Sequence, residues 1–385
     1  MRIEYHILQS FPVSCLNRDD VGSPKTAIIG GTQRARVSSQ AWKRPVRMML
    51  HDIQMENQHL KNGVRTKLIG NLISEACLAL GASNKQATTC GDAIEGAFIK
   101  KSEPKPPKKT KKTQEIEEEQ DDDEYDSEES SGKTDTLLFI SPNEVTEIAQ
   151  FLKENDFLSS SLIKSSEQKK QAKEIADFLK NKKQPVDGLD VALFGRMVAQ
   201  AASMNVEAAS SFSHAISTHK VANEIDFFTA LDDASTEQGS AHMGSIEFNS
   251  ATYYRYVSLD LGQLCQSIGK EHLAEAVEKF TQALYLSVPG ARQSTQSAAS
   301  RWDFAKIFVR KGQRLQVPFE TAIKSENGGF LNPSIVYLKK CLSEREKIDG
   351  KLFGKISDYT IGIDECGNAF PLSFDELSNA LKSHV

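Results

Sequence analysis

One stretch, 100–133, constrains this chain more than any other. Its first part, 100–112, is a Lys/Pro run, and 115–129 carry eleven carboxylates in fifteen positions. Such a sequence cannot bury enough apolar area to offset the entropy lost on ordering, so 100–133 is expected to be a disordered loop. An unfolded insertion must leave and re-enter the fold at its surface. It also distorts the charge balance. Removing its 8 basic and 12 acidic residues from the 47 and 52 of the whole chain leaves 39 against 40, a nearly neutral body. Net charge therefore selects no class of partner, and the distribution of charge has to decide.

Helical patterns flank the insertion. Leu68, Ile69, Leu72, Ile73, Ala76, Cys77 and Leu80 recur at i, i+3 and i+4, which makes one buried face. Ser141-Pro142-Asn143-Glu144 reads as a helix start, with Ser as cap, Pro in the first turn and Glu three residues after the cap. Val145, Ile148, Ala149 and Leu152 follow on one face, and Ile175, Phe178 and Leu179 mark another helix. Farther out the period changes to two. Ile3, Tyr5 and Ile7 alternate with polar residues, 252–257 are β-branched and aromatic, and 304–309 are an apolar run of strand length. Between the last two, Leu273, Ala276, Val277, Phe280, Ala283 and Leu284 make an amphipathic helix. Ser373 to Glu376 is a second capping box. These patterns predict an α+β domain interrupted by a helical insertion.

No window reaches the roughly 18 consecutive apolar residues of a membrane helix. The opening residues lack the basic-then-apolar order of a secretory signal. Six scattered cysteines with no C-x-x-C pair fit reduced thiols of a cytoplasmic protein and supply no zinc framework. No H-E-x-x-H, nucleophile elbow or Walker loop occurs, and His214 and His219, five apart, miss the i, i+4 pairing of a helical zinc site.

The strongest local signal is 14–47. Arg18, Lys25, Arg34, Arg36, Lys43, Arg44 and Arg47 face only Asp19 and Asp20, a surplus of five positive charges. Gly30-Gly31 permits a sharp turn, and Arg34 and Arg36 share one face of a strand. Ser38, Ser39 and Gln40 open the next helix, with Lys43, Arg44 and Arg47 a turn further on. Hydroxyls and cations at a helix start suit phosphates; a solvated basic face is the competing reading. Pro45 fits a first turn but not a helix interior, so the helix is expected to start near Trp42 or to be kinked. Phe227 and Phe228, in polar, glycine-punctuated surroundings, read as a projecting hairpin where an exposed ring can stack on or wedge between bases; ordinary core packing with one partly exposed ring is the competing reading. Residues 191–194 read as a strand ending at Arg196 and Met197.

Taken together, these stretches resemble the CasC family, the crRNA-binding backbone subunits of type I-E Cascade. The likeness lies in 14–20, Gly30-Gly31, Arg34-x-Arg36-x-Ser38-Ser39-Gln40 and Lys43-Arg44. It continues through 190–193, 195–197, 214–219, 226–233, 237–242, 254–256 and 288–291, in that order. Pro45, the charged insertion, and Phe227 where a Trp is often found depart from the family pattern.

The resemblance implies a modified RRM-like (ferredoxin-like) palm, 1–49, 186–216 and 249–385. Helical fingers are inserted at 50–185, and a β-hairpin thumb projects at 217–248. It implies a non-catalytic protein without cofactor or metal, in the cytoplasm and not at a membrane. Copies polymerise along the crRNA beside other Cascade subunits and present its bases to target DNA. The implied crRNA contacts are Asn17, Arg18, Lys25, Arg34, Arg36, Ser38, Ser39, Gln40, Lys43, Arg44, Arg47, Arg196, His214, Gln238, Gly239, Ser240 and His242. Met197, Phe227 and Phe228 are the implied wedge. One alternative is an RNA-cleaving subunit like those of type III complexes, using Asp226 or Asp232. Another is a sequence-selective RRM, which the absence of its aromatic motif disfavours.

Overall fold

The computed structural model describes residues 1–53, 60–99, 137–181, 188–231 and 240–385. The charged block lies outside these, as do Asp232, Asp233, Gln238 and Gly239. The chain divides into two compact units. One comprises Met1–Gln54, Ser210–Gly262 and Ala274–Val385; the other comprises Met55–Ala209 and Gln263–Leu273.

In chain order the elements begin with β1 (Arg2–Ser14), β2 (Thr26–Ile29), β3 (Thr32–Val37) and α1 (Ser39–Asp52). Then come β4 (Val64–Thr66), α2 (Ile69–Ala79), α3 (Asn84–Phe98), β5 (Leu138–Ile140), α4 (Pro142–Glu154), α5 (Gln168–Asn181) and α6 (Leu189–Phe194). The chain continues through β6 (Ser210–Phe212), β7 (Ala215–Ser217), β8 (Glu224–Leu231), β9 (Ser240–Asp260), α7 (Leu261–Ile268) and α8 (Leu273–Leu286). It closes with β10 (Phe304–Arg310), α9 (Leu331–Asp349), β11 (Lys355–Gly362) and α10 (Phe374–Lys382).

The first unit is built on an antiparallel sheet in the order β11-β10-β1-β9-β7-β3-β2, with β6 and β8 also paired to β9. The alternation in β1 predicts one solvated face, yet Glu4 and His6 are as fully buried as Ile3, Tyr5 and Ile7. The strand is central, so both of its faces are covered. On one, Tyr5 packs edge-on against Phe280 of α8 and its hydroxyl meets Thr281 at 2.7 Å. On the other, Leu8 joins Tyr254, Tyr256, Phe308, Phe319 and Leu338 in a second core. Buried polar groups persist only when partnered. Glu4 lies 3.0 Å from the Arg310 guanidinium and accepts the Tyr256 hydroxyl at 2.8 Å. His6 Nδ1 shares a hydrogen bond of 2.9 Å with the Tyr254 hydroxyl, and burial holds its pKa down to about 3, so the ring stays neutral.

Ser38 caps α1, its Oγ accepting the Ala41 N–H at 3.1 Å, so the helix starts at Ser39 rather than near Trp42, and it runs through Pro45 to Asp52. An interior proline costs about 3 kcal/mol, and burying Trp42, Val46 and Leu50, at ~1.5–3 kcal/mol each, outweighs it. Ahead of the helix, β2 and β3 join through Gly30-Gly31, both at positive φ (56° and 70°). A Cβ on Gly30 would stand 2.3 Å from the Glu320 carbonyl oxygen, so only glycine fits there.

The second unit packs α2, α3, α4 and α5 around Ile73, Cys90, Ile94, Ile148, Leu152 and Ile175. The capping box at Ser141 forms in full, its hydroxyl accepting the Glu144 N–H while the Glu144 carboxylate accepts the Ser141 N–H. Residues 191–194 belong to a helix, α6, and not to the strand expected. Buried Asp190 turns it, accepting the N–H of Gly63 at 2.6 Å and of Val191 at 3.0 Å, and Gly195, at φ 79°, ends it. Val198, Ala201 and Met204 join the helical core, so this unit reaches to Ala209, whereas the sequence places its end near 185.

Candidate nucleic-acid interface

The basic stretch 14–47 folds as a turn, the β2–β3 hairpin and α1, and the fold sorts its cations into two kinds. Arg34 is fully buried. Its Nη1 donates to the Ser217 carbonyl at 2.7 Å, and its Nη2 donates to those of Phe319 and Glu320 at 3.0 and 3.1 Å. It fastens β3 to 319–320 and does not face a ligand, against expectation. Asn17 is also buried and structural: its Oδ1 accepts the Ser38 N–H at 2.9 Å and its carbonyl accepts the Lys25 N–H at 2.9 Å. These bonds tie the 17–25 turn to the start of α1.

The second kind lies at the surface. Lys25 and Arg36 are half-buried neighbours, the Arg36 N–H bonding the Lys25 carbonyl at 2.9 Å. Neither has a carboxylate partner among the described residues. Both charges act on His214, whose pKa sits below the ordinary 6.5 through partial burial first, then Arg36, then Lys25. The Ser39 N–H donates to His214 Nδ1 at 3.2 Å, so the neutral ring carries its proton on Nε2. Lys43, one turn into α1, holds its ammonium 6.0 Å from the Phe212 ring centroid, and burial pulls its pKa below the ordinary value. Arg44 is exposed; Arg18 and Arg47 are half-buried.

The helix start is used differently from the sequence expectation. Ser38 Oγ takes the Ala41 N–H and His214 takes the Ser39 N–H, while Ser39 Oγ donates to Gln40 Oε1 at 3.2 Å. What Lys25, Arg36, His214, Lys43 and Arg44 offer an anion is therefore mainly side-chain charge and N–H donors, which suits phosphate without reading bases. Beneath them Arg255, a residue that charge counting does not single out, is fully buried. Its guanidinium lies 3.4 Å over the Trp42 ring, its Nη1 donates to Gln9 Oε1 at 2.5 Å, and burial pulls its pKa down to about 9. It anchors α1 to the sheet by stacking.

The β8–β9 pair carries the apolar part. Opposite neighbours are Ile225 and Glu247, Asp226 and Ile246, Phe227 and Ser245, Phe228 and Gly244, and Thr229 and Met243. Side chains alternate, so Ile225, Phe227 and Met243 share one face, exposed by 63, 77 and 68%. The Phe228 ring lies over Gly244, where a Cβ would meet it at 2.6 Å, and Phe228 is 40% exposed. The pair is fixed at its base. Asn223 Nδ2 donates to Glu247 Oε2 at 3.1 Å, and buried His219 stacks 3.7 Å from the Phe330 ring while its Nε2 accepts the Thr252 N–H at 3.2 Å. Ser240 and His242 lie on β9 opposite Leu231 and Ala230. Asp226 is exposed on β8.

In the other unit Arg196 is buried, a further departure from the expected contacts after Arg34 and Asn17. Its guanidinium is bidentate to Glu144, at 2.7 and 2.9 Å, and also donates to the Met204 and Phe139 carbonyls at 2.8 and 3.1 Å. Glu144 is legible as a helix cap, but its role as the partner of Arg196 is not. Adjacent Met197 is 83% exposed.

Among the described residues no cluster of His, Cys, Asp and Glu is arranged to hold a metal ion, and no helix is long and apolar enough to cross a membrane. All six cysteines are free thiols.

The family model for CT1975-like protein (Cas_CT1975) matches residues 3–363. The chain belongs to the CT1975-like family. No curated protein matches it by sequence. Among solved structures, the CT1975-like chain is similar to one from "CRISPR RNA-guided surveillance complex, pre-nicking", with 26% identity, a TM-score of 0.72 and full coverage of both chains. A second, from "CRISPR RNA-guided surveillance complex", has 23% identity, a TM-score of 0.66 and full coverage of both, a likeness of fold.

Proposed function

We propose that this CT1975-like chain is the crRNA-binding backbone subunit of a CRISPR RNA-guided surveillance complex of type I-E, a CasC subunit. In that role it works without catalysis and in the cytoplasm. The observation that carries this reading is the end-to-end similarity, at 26% identity, to a chain of a CRISPR RNA-guided surveillance complex.

Physical features add support. The antiparallel order β10-β1-β9-β7, with α8 between β9 and β10, suits an RRM-like palm. The second unit interrupts that palm in sequence as fingers would, and β8–β9 has the exposed apolar face of a thumb. A guide-holding subunit must accept any spacer. It grips phosphate and ribose and leaves base edges open to target DNA. Lys25, Arg36, Lys43, Arg44 and the Nε2–H of His214 supply that grip. Phe227, which has no hydrogen-bonding edge, opens the stack at intervals without choosing among bases. Phe228 and Met197 are further apolar contacts. Copies repeat head to tail along one RNA, a heterologous contact that other subunits must cap.

The test is to sequence the RNA that co-purifies with the protein. Repeat-derived guides of uniform length are expected; a mixture of unrelated transcripts overturns the reading. Labelled target RNA incubated with the complex and a divalent cation is expected to stay intact. Cleavage abolished by Asp226→Ala would instead establish a type III-like nuclease.

A further inference from the structure

Strand β9 belongs to two partnerships in turn. Its first part, to Phe248, pairs with β8; from Asn249 onward it pairs with β1 and, at Tyr253 and Tyr254, with β7. The step from β7 to β8, 218–223, spans that change. Thr218 continues the ladder, its N–H donating to the Thr252 carbonyl at 2.9 Å. The Thr252 N–H goes instead to a side chain, donating to His219 Nε2 at 3.2 Å. With Nε2 accepting, the ring carries its proton on Nδ1, which donates to the Lys220 carbonyl at 2.9 Å. The imidazole is buried and lies within 9° of parallel to the Phe330 ring, 3.7 Å between centroids.

The surroundings of the ring are fixed. Phe330 immediately precedes α9, and the Ser334 hydroxyl of that helix lies 2.8 Å from that of Thr218. The Ile323 N–H donates to the Thr218 carbonyl at 2.9 Å, the Val221 N–H to that of Gln33 at 3.2 Å, and Ser217 Oγ to that of His219 at 2.7 Å. Few charges face the imidazole. On β3, buried Arg34 stands beside it with Nη1 on the Ser217 carbonyl. Lys220, next in sequence, is exposed, and β9 and α9 present only Thr252 and Ser334. Among the described residues no carboxylate pairs with the ring. A proton on Nε2 would set donor against donor at Thr252 and a second cation beside Arg34, so the clasp holds only while the ring is neutral. The lever above it is long. Phe227 lies opposite Ser245, seven residues before Thr252 and about 23 Å away along extended strand, so a tilt of about 5° at the clasp moves the ring by ~2 Å.

We infer that His219 is a positioning residue for the wedge: by clasping β9 at Thr252 against Phe330, it sets the direction in which β8–β9 leaves the sheet and so the place of the Phe227 ring. This rests on the proposed function and adds a buried residue that regulates the wedge by acting through Phe227. Burial, and to a lesser degree Arg34, holds the pKa of His219 below the ordinary 6.5 against the pull of the Lys220 hydrogen bond. The clasp is therefore closed at neutral pH and is lost as pH falls through that lowered value.

The full complex is assembled on guide RNA carrying 2-aminopurine, which brightens when unstacked, at one spacer position at a time. Emission is read from pH 7.5 to 5 for the parent, His219→Phe, His219→Gln and Phe227→Ala. The parent is expected to be bright at regularly spaced positions and to dim there by about fivefold in acid, the scale of one hydrogen bond. His219→Phe keeps a ring against Phe330 but accepts nothing, and is expected to be dim at those positions at every pH. His219→Gln keeps an acceptor without a titrating group, and is expected to be bright and flat. Tighter guide binding through His214 in acid runs the opposite way and is read separately as retained RNA. Bright positions in His219→Phe with the parent's pH profile overturn the inference and leave the wedge standing, as does a parent flat across the range. If His219→Phe fails to fold, His219→Gln decides: dimming in acid like the parent overturns the inference, and a flat profile supports it. A parent without bright positions, or Phe227→Ala as bright as the parent, overturns the wedge and this inference together.

Discussion

Truncation of Phe227 separates a ring that supports the fold from one that serves a ligand. The residue is 77% exposed, so Phe227→Ala removes roughly a quarter of the ~1.5–3 kcal/mol that a fully buried Phe contributes, under about 1 kcal/mol. A ring stacked on a base contributes about 1–3 kcal/mol to binding, or roughly 5- to 150-fold in affinity. The two effects differ enough to be read independently. Thermal unfolding of the Phe227→Ala variant is expected to stay near the parent, while titration of end-labelled guide RNA shows a loss in that range. Phe227→Trp keeps a stacking surface and is expected to keep affinity. Phe228→Ala, which strips the ring from over Gly244, is expected to lower stability more than Phe227→Ala does. A Phe227→Ala protein that folds normally and binds guide like the parent would refute the wedge.

Other perturbations have equally definite expectations. Lys43→Ala with Arg44→Ala should weaken guide binding equally for unrelated spacers and reduce the salt slope by about 1.4 for two lost contacts; a loss confined to certain spacer sequences contradicts letter-blind gripping. A bound phosphate stabilises protonated His214, so guide affinity should rise as pH falls through the region below 6.5, and His214→Gln should remove that rise; an unaltered pH profile in the variant excludes His214 from the contact. His219 is held neutral by burial, so its contribution to stability is present above the ordinary histidine value and lost as pH falls through its lowered folded value. Melting temperatures should accordingly drop between pH 7.5 and 5, less so in His219→Gln, and an identical drop in both proteins would discount it. Arg196→Ala leaves the Glu144 carboxylate without its buried partner and should cost about 3–5 kcal/mol in chemical denaturation, whereas a change within experimental error would mean the pair is solvated.

What could be read from the sequence tracks the distance over which each feature is determined. Caps were legible because Ser141 and Glu144, or Ser373 and Glu376, sit three residues apart and each pair closes its box through its own backbone and side chains. The strands at Ile3-x-Tyr5-x-Ile7 and 304–309, the helix at 273–284, and the exposure of Phe227 followed from period and neighbouring glycine. The burial of Arg34 and Arg196 did not. Charge alone is silent on whether an arginine meets solvent or the carbonyls of Phe319 and Glu320, nearly three hundred residues downstream. The same holds for Glu4, whose polarity suggested a wet face but whose partners Arg310 and Tyr256 arrive on other strands. The four-residue apolar run 191–194 carries no period long enough to tell helix from strand, and Asp190 bonding across to Gly63 decided it.

In the proposed role, surface cations of the β2–β3 and α1 region hold a polyanion regardless of its letters while a greasy hairpin parts its bases. The most direct measurement is a density map of the protein assembled on its guide. Phosphate oxygens are expected about 3 Å from Lys25, Arg36, Lys43 and His214 Nε2, with the Phe227 ring between unstacked nucleotides. RNA running along another face, with those side chains in open solvent, would contradict it.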